Sequence, residues 1–437
     1  MRRLGPLVVI AALAVAACSG GSTPTPAPAS PSPAASPSAA ASPSAAASPS
    51  PAAPSGEAIN LGLIDMLSGA NAQIGKDTQE GAQVAVDEVN ASGGILGRPV
   101  ALQTADEAPN TAAAVNALRT FNSSGVTFTL GITSSADALA MVPVAAQIGS
   151  IIVGSHPATT ALTTTKYDPH FVRIAASDAM ATKSMAEFAQ QNFPDITTWN
   201  VMGYDYVTGH DQWQGFLDNL TALGQSYTKG KEVFFPFNAV SSLTPYITSM
   251  VSSLPADSAT NQGLYIASFG AGTFNLIKQG ISYDLMKKFK AVLGVAGGGF
   301  LEQAAQLGTD TPDIYSEYDY YYKAYDTPQN QQFVADYQAK YGRVPGSWAL
   351  HGYMSVLAYK AAIDKAGSTD VAQVMAAFDG LTFPAPQGDV TIRAGDHQAE
   401  VNVIMRHFVP DPSAPQGFQV KDFTVIKAAD ILPPVSH

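Results

Sequence analysis

Residues 59–104 read INLGLIDMLSGANAQIGKDTQEGAQVAVDEVNASGGILGRPVALQT, and the fold turns on their pattern. Ile59–Ile64 is a short apolar run, which predicts a buried strand. Ala82, Ala85, Val86 and Val89 then recur at helical spacing within 75–90, and Gly93-Gly94 supplies a stop. Val100–Thr104 reads as a second strand. Strand, helix, strand at this spacing predicts right-handed βαβ units and a parallel sheet. The alternation continues with helices over 111–121 and 136–148 and strands over 126–132 and 150–153. After Phe171–Ile174 a second unit repeats it, with strands over 200–202, 232–235, 263–268 and 291–295. Its helices fall over 179–192, 211–223 and 243–254. The last stretch predicts helices over 330–341 and 348–364 and strands over 390–393 and 401–407.

A chain of 437 residues is too long for one ordinary core and suits two domains. Only 13% of residues are charged, and the formal net charge is −12. With no basic cluster, nucleic acid is excluded as a partner, because its binding rests on Lys and Arg neutralising phosphates. A single cysteine excludes an intramolecular disulfide and a Cys-rich metal site.

The N-terminus reads as an address. Met1-Arg2-Arg3 is a basic start, and Leu4–Ala16 is apolar but too short to span a bilayer, which needs roughly 20 residues. Val15-Ala16-Ala17-Cys18 resembles a bacterial lipobox, so residues 1–17 are expected to be a lipoprotein signal peptide and Cys18 the lipidated residue. The competing reading is an ordinary signal cleaved near Cys18. Residues 18–56 would then be the lipidated Cys and a disordered tether, since Ser19–Gly56 is almost entirely Ser, Pro, Ala, Thr and Gly.

Catalytic signatures are missing: no P-loop, G-x-S-x-G, H-E-x-x-H or CxxC is present. The expectation is no enzyme, no cofactor and no metal. In open α/β sheets ligands sit beyond the carboxyl ends of strands. Three such ends are small and polar: Leu67-Ser68-Gly69, Thr133-Ser134-Ser135, and the run Ser155–Thr160 with Ala158 and Thr159. Hydroxyls and free N–H groups at helix starts make an anion site without arginine; the alternative is that these residues only cap helices. The second unit offers Tyr206, Phe269 and Gly297. Tyr318 belongs to the run Tyr315–Tyr322, which either covers a ligand body or packs the lobe. Gly297-Gly298-Gly299 is either a close backbone approach or a plain loop.

Leu67-Ser68-Gly69 with Ile74-Gly75-Lys76-Asp77, then Gly81-Ala82 leading to Val89–Pro99, resembles the branched-chain amino-acid-binding (leucine-binding protein-like) family of ABC-importer receptors. Thr327-Pro328-Gln329-Asn330, Tyr341–Pro345 and Gly352-Tyr353 form a second matching signature. The resemblance runs from Ile59 to about Ile431. It implies the type 1 periplasmic binding-protein fold, two doubly wound parallel-sheet lobes joined by three hinge crossovers. One lobe would take residues 57–176 and about 325–384, the other 177–324 and about 385–437. The resemblance further implies that Ser134, Ser135, Ala158 and Thr159 hold a ligand carboxylate, with Tyr206 and Phe269 near contacts from the second lobe. Two positions depart from the family. Ala296-Gly297-Gly298 stands where a carboxylate usually meets the ligand ammonium, and Thr208 stands where a tyrosine is usual. Gly388–Arg393 with Asp396-His397-Gln398 resembles relatives that bind aromatic or other carboxylates without an amine.

The expected function is that of an extracytoplasmic solute receptor delivering a small organic carboxylate, a branched-chain amino acid or a related acid, to an ABC permease. It would be attached to the outer face of the cytoplasmic membrane by lipid only. The alternative is a ligand sensor or envelope assembly module on the same fold.

Overall fold

A computed structural model describes residues 53–108, 110–237, 241–294 and 299–435. The signal, Cys18, the tether up to residue 52 and the Ala296–Gly298 segment with Gly297 lie outside the described residues. Five strands, β1 (Ile59–Asp65), β2 (Val100–Asp106), β3 (Phe128–Gly131), β4 (Ile151–Gly154) and β5 (Phe171–Arg173), form one sheet. Its order is β2-β1-β3-β4-β5 and every pairing is parallel. The strands are apolar along their length because helices cover both faces: Leu61, Leu63 and Ile64 are all fully buried.

A second sheet contains β6 (Thr198–Asp205), β7 (Thr228–Pro236), β8 (Gln262–Ala267), β9 (Ala291–Gly294) and β10 (Ile314–Tyr318). These five are parallel, in the order β10-β9-β8-β6-β7. Between β10 and the C-terminus come β11 (Thr382–Ala385), β12 (Gly388–Thr391), β13 (Val403–Pro410) and β14 (Phe418–Ile426). Strands β13 and β14 extend the second sheet antiparallel beyond β10. The strand expected over 390–393 is part of β12, which pairs with β11 in a separate hairpin. Phe383, Ala385, Val390 and Ile392 of that hairpin pack into the apolar cluster of the first sheet.

Among the described residues no helix is long and apolar enough to cross a membrane. Helices Ala72–Ala91 and Ser347–Ala366 lie in backbone contact on the first sheet. A Cβ at Gly81 would fall 1.7 Å from the Ala349 carbonyl oxygen, and one at Gly352 would fall 1.9 Å from that of Thr78.

Three chain segments pass between the two sheets, and they are tied to one another. Asp319, just after β10, accepts from Ala176 N at 3.0 Å. Gln398 Nε2 donates to Ala175 O at 2.8 Å, and its Oε1 accepts from Arg173 Nη1 at 3.0 Å. Gln387 Nε2 donates to Asp319 O at 2.6 Å. The adjacent pair Asp396-His397 belongs to this junction, where Arg173 N donates to His397 O at 3.0 Å.

Candidate functional site

Strand order reverses at β1, whose neighbours are β2 and β3, so a crevice opens beyond the carboxyl ends of β1 and β3. At the end of β3 the chain makes a sharp turn, with Ile132 at φ 67. A β-branched residue rarely adopts that conformation. The strain is held by Ile132 N donating to Ile64 O at 2.6 Å, and it sets Thr133 and Ser134 at the mouth of the crevice. Their N–H groups both donate to the buried Glu107 carboxyl, at 2.7 and 2.8 Å. Burial, with Asp65 and Asp137 nearby, pushes that carboxyl well above its ordinary range.

Helix Ser135–Ile148 starts there. Ser134 is its N-cap and accepts from Asp137 N at 3.2 Å, so the capping role is real. Its hydroxyl also lies 3.0 Å from the Tyr206 phenol oxygen on the opposite lobe, and Ala136 N donates to that phenol oxygen at 2.9 Å. Ser135 Oγ accepts from Ala158 N at 3.1 Å, Thr159 N at 3.2 Å and Thr208 Oγ1 at 3.2 Å. Thr159 Oγ1 donates to Asp211 Oδ2 at 3.2 Å. Four of these contacts, two at Tyr206 and one each at Thr208 and Asp211, join the lobes directly. The lobes are drawn together around an internal cavity of about 50 Å³.

Ser135, Ala158, Tyr206, Phe269 and Tyr318 line that cavity. Ser134 and Thr159 stand immediately behind it. Ser68 does not reach it: the residue is exposed, and its hydroxyl bonds Asp106, which also accepts from Leu67 N at 3.0 Å. This turns the loop after β1 outward. Of the tyrosine run, Tyr318 alone lines the cavity. Tyr315 stacks on His407, and Tyr320 is buried with its hydroxyl donating to Asn330 Oδ1 at 2.6 Å.

The cavity also takes residues that the sequence did not single out. Asp178 opens helix Asp178–Asn192 behind the N-cap Ser177, and Glu317 sits in β10. Asp178 Oδ1 accepts from Gln212 Nε2 at 2.9 Å, while Oδ2 has no partner. Neither carboxylate oxygen of Glu317 has one. Burial pushes Asp178 up to about 7, with Asp211 adding and Gln212 opposing. Burial pushes Glu317 up to about 8, with Asp319 adding and Arg406 opposing. No lysine or arginine lines the cavity among the described residues. One wall therefore offers a helix start and hydroxyls, and the other offers carboxyl oxygens in want of a donor.

His156 forms part of the floor. It bonds Thr78 Oγ1 at 2.7 Å and faces His351, Nδ1 to Nδ1, at 3.1 Å; His351 Nε2 lies 2.8 Å from Asp319 Oδ1. Burial holds the His156 pKa below its ordinary value. This chain of contacts runs from the cavity to the crossover at Asp319. Among the described residues no group of His, Cys, Asp and Glu is arranged to hold a metal ion.

Two sheet-bearing lobes, three crossovers and a cavity between the lobes are the layout of a solute-binding protein. A family model described as a periplasmic binding protein matches residues 58–409, and the chain belongs to that family. It has the type 1 periplasmic binding-protein fold. A Leu/Ile/Val-binding protein, BraC3, of Rhizobium johnstonii is 28% identical over 343 residues, covering 76% of this chain and 87% of the relative. The structure of an amino acid ABC transporter substrate-binding protein from Pseudomonas fluorescens is similar at a TM-score of 0.74 and 24% identity, covering 84% of this chain and 96% of that one. A solute-binding protein of an ABC transporter from R. palustris, solved in complex with benzoate, is similar at 0.73 and 19% identity, covering 85% and 97%.

Proposed function

We propose that this protein is the extracytoplasmic receptor of an ABC importer and that its cleft binds a small organic acid carrying an amine. The observation that carries the reading is Asp178, which lines the cavity and whose buried Oδ2 has no partner. A buried ammonium is costly without an acceptor. The acceptor that Ala296 does not provide is available from Asp178 and, beside it, Glu317. The ligand carboxylate belongs at Ser135 and the start of helix Ser135–Ile148, where the Tyr206 phenol now accepts from Ala136 N. Ligand bridging both walls would favour the closed state, which the permease reads. The names of the relatives, which include amino-acid and benzoate binders, support the acid end of this reading.

We propose that the first two passages between the lobes fall near residues 176 and 324. The third passage falls over 393–402, because the β11–β12 hairpin packs with the first sheet. Lipidation at Cys18 and attachment outside the cytoplasmic membrane remain part of the proposal. The rival reading, a sensor without transport, predicts ligand binding with no permease recovered in a pull-down.

The test is a thermal-shift screen of the full chain against leucine, isoleucine, valine, benzoate, 4-hydroxybenzoate and short dicarboxylates. A ligand at about 100 times Kd adds roughly 2.7 kcal/mol. The reading expects stabilisation by α-amino acids. A shift with benzoates alone would overturn the amine.

A further inference from the structure

On the other side of Ile74 and Trp348 from the inner cavity lies a second compartment of about 230 Å³. Ile74 and Trp348 line the inner cavity as well, so the two spaces share a wall. The compartment is again built by both lobes. Asn71 and Gln73 come from the start of helix Ala72–Ala91, while Gln303 and Gln306 come from helix Phe300–Leu307 of the second lobe. Asn71 Oδ1 accepts from Ala271 N at 3.0 Å and closes one side.

Its polar lining is short of donors. Gln303 is 6% exposed; its Nε2 donates to Gly270 O at 2.8 Å, and its Oε1 has no partner. Glu302 Oε2, on the same wall, is also buried without a partner. Two glycines allow this arrangement. A Cβ at Gly346 would fall 2.3 Å from Glu302 Oε1, and one at Gly299 would fall 2.0 Å from the Trp348 ring. Buried acceptors without donors are unfavourable unless a ligand supplies the donor.

Volume gives the second argument. A water needs about 10–15 Å³ of such space, so the inner 50 Å³ holds only a few atoms of that size. That suffices for the charged head of a ligand and not for its whole body. The remainder needs further room, and the neighbouring compartment would supply it if the Ile74 and Trp348 side chains swing aside.

We infer that this compartment is a second subsite, which takes the far end of an elongated ligand and selects a neutral hydrogen-bond donor there, a carboxamide or hydroxyl. An anion is disfavoured by Glu302 and by Asp77 close to it. Burial, with Asp77 adding and Arg343 opposing, pushes the Glu302 carboxyl up to about 7. The inference rests on the receptor reading above, because it supposes that the ligand head lies in the inner cavity.

The test is calorimetry on the full chain with two amino acids of similar reach, glutamine and norleucine, and with leucine as a short reference. Glutamine is expected to bind at least tenfold tighter than norleucine. Gln303→Leu should abolish or invert that preference. Gln306→Leu, on the exposed side of the helix, should reduce it severalfold and covers the case in which Gln303→Leu does not fold. Equal or tighter binding of norleucine to the wild type overturns the subsite while leaving the receptor reading intact, as does a glutamine preference unchanged in the folded variants. Binding of no amino acid at all overturns both.

Discussion

Tyr206 and Ser134, on opposite lobes, meet across the cleft with the phenol oxygen 3.0 Å from the serine hydroxyl. The same phenol accepts from Ala136 N, so a residue of the second lobe caps the helix start at which an anion would sit. The ligand carboxylate and Tyr206 thus compete for one set of donors. Tyr206→Phe removes the oxygen and leaves the ring stacked on Phe237. Each lost bond is worth about 0.5–1.5 kcal/mol, all of it in the closed form. The expected result is a larger radius of gyration for the ligand-free variant in small-angle scattering, with compaction restored by ligand. An unchanged radius would mean that the latch does not hold the lobes.

Asp178 links binding to pH. Its folded pKa, about 7, lies above the ordinary value of 3.8 because burial penalises the charged form. Between those values the folded state holds more protons than the unfolded one, so stability falls as pH rises from about 4 through about 7. Glu317 adds a loss of the same sign that extends to about 8. An ammonium ligand is held best by the charged carboxylate, so its affinity should rise over pH 5–8 in the wild type. Asp178→Asn should be more stable than wild type at pH 8, lose that advantage by pH 4, and bind amino acids weakly, with the pH dependence that is left coming from Glu317. Melting curves and calorimetry across this range decide it; a wild-type affinity flat in pH would remove Asp178 from the site.

The parallel strands were legible because helices bury them on both faces, leaving continuous apolar runs such as Ile59–Ile64. Strand β14 was not, because it is a sheet edge with mostly exposed residues, Phe423 and Val425 among them. Strand β10 was hidden inside the tyrosine run, and Glu317 with it. Ser177-Asp178 repeats the pattern by which Ser134-Ser135 was found, a small polar pair after a strand and before a helix, so that signal was present and unread. The meeting of Tyr206 with Ser134, or of His156 with His351, depends on how the lobes pack, which spacing along the chain does not encode.

Thr159 acts across the lobes through its hydroxyl, which donates to Asp211 Oδ2 at 3.2 Å, while its backbone N–H is bound to Ser135 Oγ. Thr159→Ala keeps the backbone bond and loses the other. Asp211 is exposed, so water takes over part of the lost bond. A cost of about 0.5–1.5 kcal/mol corresponds to a Kd raised roughly two- to tenfold. Calorimetry should show this with the melting point of the ligand-free protein nearly unchanged. A wild-type Kd would remove Thr159 from the binding machinery.

Helices Ala72–Ala91 and Ser347–Ala366 approach so closely that Gly352 faces the Thr78 carbonyl with no room for a methyl group: a Cβ there would lie 1.9 Å from the oxygen. The obstacle is backbone on a helix packed against a sheet, which cannot swing aside as a flexible side chain would. Gly is otherwise unfavourable within a helix by roughly 1 kcal/mol relative to Ala, so on propensity alone Gly352→Ala should stabilise. Overpacking costs typically 1–3 kcal/mol and wins here, because the helices must separate along the seam that also contains Gly81 against Ala349. Denaturant melts should place Gly352→Ala below wild type and Lys360→Ala, farther along the same helix, near it. Hydrogen exchange should rise first in these two helices, because two lobes need not unfold as one unit. A stabilised Gly352→Ala would show that the helix pair is looser than its backbone contacts imply.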